Sequence, residues 1–156
     1  MSAGSAPAAL RALRDADAAF PGRSRASDGI MGDARHQAGA SDHNTGDAFD
    51  LTVDHEHGVE GADIAAAAKL DPRTKYVIFD RRIWNPSISP EWRAYHGANP
   101  HTHHVHVSIR REAREDATAW PWAPSPYEDD GGGGAKLAAC VFVLAVGLGL
   151  AWTVLA

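Results

Sequence analysis

The chain has 156 residues, 44% of them hydrophobic, with 15 basic and 20 acidic side chains and a net charge of −5 with histidine neutral. That length suits one compact domain plus an appendage. The acidic balance, with no basic run beyond Arg81-Arg82 and Arg110-Arg111, argues against nucleic acid as a partner, and the single cysteine, Cys140, excludes both an intrachain disulfide framework and a multi-cysteine zinc site.

At the N-terminus, Arg11, Arg14, Asp15 and Asp17 break up the Ala-rich stretch before an apolar core of signal-peptide length can form, so no secretory signal is expected. Residues 7–20 read instead as an amphipathic helix, with Pro7 in its first turn and Leu10, Leu13 and Phe20 on one face; Pro21-Gly22 ends it. Residues 22–46, rich in Ser, Gly, Asp and Arg, have the composition of an ordered loop. From Ala48 to Val53 the pattern has period two: Phe49, Leu51 and Val53 on a core face, Ala48, Asp50 and Thr52 on the other. Residues 61–70 predict a short Ala-rich helix stopped by Asp71-Pro72, and Tyr76–Phe79 a buried strand. The Trp-, Pro- and Asn-rich stretch from Arg81 to Pro100 reads as an irregular excursion. Alternation then returns in His104–Ile109, with Val105, Val107 and Ile109 facing the core and His104, His106 and Ser108 the other way. The pattern is that of an α+β domain with a small antiparallel sheet and flanking helices.

Residues 120–134 have linker composition, Pro-rich first and Gly-rich after. Leu137–Ala156 carries no charge over 20 residues. As a helix it would cover roughly 30 Å, the depth of a bilayer's hydrocarbon core. The expected organisation is therefore a domain over 1–122, a linker over 123–135 and a single-pass C-terminal transmembrane helix over 136–156, with a membrane location.

Nine histidines are present, five of them between His96 and His106. Asp50 and His106 lie on the non-core faces of two expected strands, and His43 lies just before the first, with Gly46 letting the chain turn between them. Two imidazoles and a carboxylate make a three-ligand set that suits Zn²⁺ and leaves a fourth position for water, as catalytic zinc requires. His55 and His57, in Asp54-His55-Glu56-His57-Gly58, invite a second metal site but fall in an expected exposed turn.

The segment Ser41-Asp42-His43-Asn44-Thr45-Gly46-Asp47-Ala48-Phe49-Asp50 fits every fixed position of Ser-x-His-x-x-Gly-x-Ala-x-Asp, and His104-Val105-His106 follows some fifty residues later. In this the chain resembles the zinc D-Ala-D-Ala carboxypeptidase and L-alanyl-D-glutamate endopeptidase family, with the hedgehog/DD-peptidase fold. It is similar to a phage-endolysin-like subgroup through Ser24–Gly29, Gly32–His36, Asp71–Trp84 and Asn99–Ser108 as well. The resemblance covers roughly residues 7–122. It implies His43, Asp50 and His106 as zinc ligands and peptidoglycan stem peptides as substrate. The family's usual acidic base, three residues before the last ligand, is replaced by His103; the broader fold group uses the first histidine of a His-x-His pair, here His104, which shares a strand face with His106. Both stand as candidate catalytic residues. Ser41, Arg25 and Arg35 are candidates for substrate binding. The resemblance also keeps open an alternative, a zinc-binding but non-catalytic cell-wall module on the same fold.

Overall fold

The computed structural model describes residues 4–32 and 40–122. Arg35, the linker and the expected transmembrane helix lie outside the described residues, and among the described residues no helix is long and apolar enough to cross a membrane.

Five strands form one antiparallel sheet: β1 (Ala48–Thr52), β2 (Thr74–Phe79), β3 (Arg82–Asn85), β4 (Ser89–Ala94) and β5 (His104–Ile109), in the order β1-β5-β2-β3-β4. Because β5 is flanked by β1 and β2, its backbone groups are paired on both edges and its side chains are almost wholly buried. Phe49, Leu51, Val77, Val105, Val107 and Ile109 make the core face, as the period-two pattern requires. Two helices cover that face, α1 (Pro7–Ala19) against β1 and α2 (Gly61–Leu70) against β2 and β5. The α+β architecture is thus as expected, and the opposite face of the sheet is left for chemistry.

Two expectations need correction. Of the expected apolar face of α1, Phe20 is buried and Leu13 packs against the core, but Leu10 is 50% exposed, and the buried stripe of the helix is Ala8, Ala9, Ala12 and Ala16. Small side chains let the helix backbone come close, and the tail of the domain exploits this. The indole of Trp120 donates to Ala8 O at 2.9 Å and that of Trp122 to Ala12 O at 2.8 Å. The two indoles stack on each other and meet Phe49 of β1 edge-on. Residues 120–122, given linker composition above, therefore belong to the core. Arg73 holds the tail in place from below. It pairs with Asp71 through two contacts of 2.8 and 2.6 Å and donates to the carbonyls of Asp116, Thr118 and Ala119.

The second correction concerns residues 81–100, which contain a hairpin. Asp80 and Arg81 form the two-residue connection between β2 and β3 with φ of 45° and 59°. A tight hairpin of this type needs positive φ at both central positions, normally supplied by Asn-Gly or Asp-Gly. Asp80-Arg81 carries no such signature, which hid the turn.

Candidate metal centre

Each prospective ligand is fixed by its own element. Ser41 caps a single 3-10 turn, Asp42–Thr45, by accepting the His43 N–H at 3.3 Å. Gly46 ends that turn at φ 72°, and a Cβ there would lie 2.7 Å from Gly4 O and 2.8 Å from Ser5 Cα. Both the left-handed backbone and the close approach of the N-terminal segment therefore require glycine. Asp50 and His106 are direct partners across the β1–β5 ladder, so their side chains project on the same face. The edge of β1 is itself covered, because Gly29 and Asp50 exchange backbone hydrogen bonds of 2.8 and 3.3 Å.

The three side chains converge. His43 Nε2 lies 3.1 Å from His106 Nδ1, His106 Nδ1 lies 2.9 Å from Asp50 Oδ1, and His43 Nε2 lies 3.3 Å from Asp50 Oδ2. Ligands bonded at zinc's usual 2.0–2.2 Å in a tetrahedron stand about 3.3 Å apart, so these separations fit one ion held by three donors. Electrostatics agree. The other His43 nitrogen, Nδ1, lies 2.8 Å from Ile30 O; donating there, it leaves a lone pair on Nε2 toward the cluster. A carboxylate and two imidazole edges then face one small buried space, a concentration of electron pairs that a cation satisfies. Burial alone would raise the Asp50 carboxyl, but hydrogen bonds and charge from His106 and His43 hold it well below the usual range. Among the described residues no other group of three potential ligands comes together. His55 and His57 are instead taken up singly, by Glu60 and Asp54, each at 2.8 Å.

The cluster opens on a cleft of about 340 Å³, lined also by Ser41, Tyr76, Tyr95, Asn99 and His101. The two candidate bases separate here. The strand begins at His104, whose Nε2 lies 3.9 Å from Asp50 Oδ1 and 3.5 Å from Asn99 Nδ2. Neither histidine lines the cleft itself; His104 is half-buried beside Asp50, whereas His103 has an exposed side chain and its carbonyl accepts the Val53 N–H. Arg25 is not brought to the cleft: it is 63% exposed and pairs with Asp17 at 3.0 Å. Ser41 is, in addition to its capping role.

His101 was not singled out from the sequence. It is 7% exposed, adopts φ 53°, and its ring meets those of His104, His106 and Tyr95. The hairpin turn positions it, since Asp80 N donates to His101 O and Arg81 N to Pro100 O, each at 2.9 Å. Its Nδ1 lies 2.7 Å from Asn99 O, which directs Nε2 as an acceptor into the cleft. Burial first, then the neighbouring His106 and His104, push His101 down to about 4. Lying outside any period-two pattern, it offered only its place in the histidine-rich run as a signal. Tyr76 stacks on His106 with ring centroids 5.5 Å apart. Burial and the charge of Asp42 push its phenol up to about 12, so it stays neutral and able to donate.

Comparison with curated proteins finds no match, and neither does comparison with solved structures. A family model described as VldE, C-terminal domain, matches residues 1–106, a span that includes all three prospective ligands. That span is well over half of the 156 residues, and the chain belongs to the VldE C-terminal domain family.

Proposed function

We propose that the chain is a zinc-dependent peptidase that hydrolyses an amide bond in peptidoglycan stem peptides, of D-Ala-D-Ala carboxypeptidase or L-Ala-D-Glu endopeptidase type, and that residues 136–156 tether it to a membrane as part of a phage or prophage lysis system. The observation that carries the reading is the convergence of His43 Nε2, Asp50 and His106 Nδ1 within 4.8 Å of one another at a cleft flanked by a further histidine. The ten-residue motif that resembles the zinc carboxypeptidase family supports the choice of substrate.

When bound, zinc supplies a Lewis acid for the scissile carbonyl and lowers the pKa of the attacking water. The chain's own residues do the rest. His104 Nε2, beside Asp50, takes the proton released on attack and delivers it to the departing amine. Burial, the largest influence, lowers His104 and keeps it neutral and able to accept. With its Nδ1 donating to Asn99 O, His101 has Nε2 free to accept a hydrogen bond from a substrate N–H. Tyr76 holds the His106 ring by stacking.

Purified peptidoglycan incubated with the full chain, with products weighed by mass spectrometry before and after chelation, tests the proposal. New stem fragments that vanish with chelator are expected, and their masses name the bond cut. Intact peptidoglycan in the presence of folded, zinc-loaded protein would favour a zinc-binding wall module instead.

A further inference from the structure

Beside the cleft lies a second cavity of about 420 Å³, and the two share Ser41. Its lining includes the charged residues Asp42, Asp47, Lys75, Arg110, Arg111 and Glu112. Most of these charges are already satisfied. Lys75 holds both oxygens of Asp42 at 2.8 and 3.0 Å, and Asp47 is held by Arg111 at 3.0 Å and by Arg114 at 2.7 Å. Glu112 is exposed at the rim. Arg110 is different: it is half-buried, and among the described residues its guanidinium has no carboxylate or carbonyl partner, only its backbone being bonded, N–H to Arg73 O and carbonyl to Ala113 N. A half-buried guanidinium without a partner, facing a cavity, is a site for an anion, and its planar fork matches a carboxylate.

Position sharpens this. His104, His106 and Ser108 occupy alternate places along β5, and Arg110 takes the next one, still in extended conformation at φ −62° and ψ 133°. The same sheet face thus leads from the metal centre to Arg110. The four-residue separation from His106 spans about 13 Å, or roughly four residues of an extended peptide. Between them, Asp42 is fastened to Ser108 and Lys75, so the wall shared by the two cavities is rigid.

We infer that Arg110 forms a carboxylate-binding subsite, which receives an acidic group of the peptide substrate several residues from the bond being cut. The inference rests on the amide-hydrolase reading above and makes it more specific: the substrate is an extended peptide bearing a free carboxylate at a fixed distance from the metal centre.

The test uses the full chain loaded with zinc and a set of soluble stem pentapeptides, one with every carboxyl free and others amidated at one carboxyl at a time. Amidation at a single position is expected to lower kcat/KM about 10- to 100-fold, the worth of a hydrogen bond to a charged group, with the change chiefly in KM. Arg110→Gln is expected to lose the same factor on the free peptide and to become indifferent to that amidation. Arg110→Lys should retain part of the preference. The wild-type preference can be read even if a variant fails to fold. If the wild type cleaves all forms alike, or Arg110→Gln keeps the preference, the subsite is refuted while the hydrolase reading stands. If the wild type cleaves none of them, the hydrolase reading falls and takes the subsite with it.

Discussion

Replacing Arg73 by Met removes a cation whose side chain is 3% exposed and whose partner Asp71 is 6% exposed. The methionine keeps much of the aliphatic stem but leaves the Asp71 carboxylate buried without a counter-charge, held only by the backbone N–H of residue 73, and strips donors from Asp116 O, Thr118 O and Ala119 O. Breaking a buried pair from one side costs about 3–5 kcal/mol. The stack of the guanidinium on Trp120, 4.1 Å from the ring centre, is lost as well. With a urea m-value of about 1.5 kcal/mol/M for a domain of this size, the midpoint should fall by about 2–3 M. The double variant Asp71→Leu/Arg73→Met should recover a large part of that loss, because no buried charge is then stranded. A single-variant shift below about 0.5 M would refute the claim that this pair clamps the C-terminal segment to the core.

His104→Ala should lower kcat about 10²- to 10⁴-fold while zinc content stays at the wild-type level, whereas His103→Ala should stay within a few-fold on both counts; steady-state kinetics with metal analysis distinguishes them. Gly46→Ala forces a left-handed backbone and a clash with Gly4 O, and should destabilise the domain by at least about 1–3 kcal/mol in chemical denaturation. His55→Ala combined with His57→Ala should leave zinc stoichiometry unchanged, since each histidine is held by a separate carboxylate.

The parts of the molecule that were legible in the sequence share one property, a repeating pattern tied to burial. β1 and β5 alternate cleanly because one face packs on helices, and that alternation by itself puts Asp50, His104 and His106 on the other face. The helix over 61–70 was readable from alanine content and the Asp-Pro stop. Where the fold depends on backbone conformation the signal disappears. The Asp80-Arg81 turn adopts positive φ at two residues that do not advertise it, so the β3–β4 hairpin looked irregular and the loop that delivers His101 looked inert. On α1, Leu13 and Phe20 follow the apolar pattern but Leu10 does not, because packing there also follows close approach of alanines and indole hydrogen bonds to helix carbonyls, which hydrophobicity does not report. Arg25 illustrates a limit of position along the chain, as its nearness to the motif in sequence does not bring it to the cleft in space.

The central claim is a metal centre built from His43, Asp50 and His106, and zinc titration of the metal-free full chain tests it most directly. One ion per chain is expected, held tightly by the wild type and by His103→Ala, with affinity reduced at least about 100-fold in Asp50→Ala, His43→Ala and His106→Ala. A folded wild type that takes up no zinc, or an Asp50→Ala variant that binds it as well as the wild type, would contradict the account.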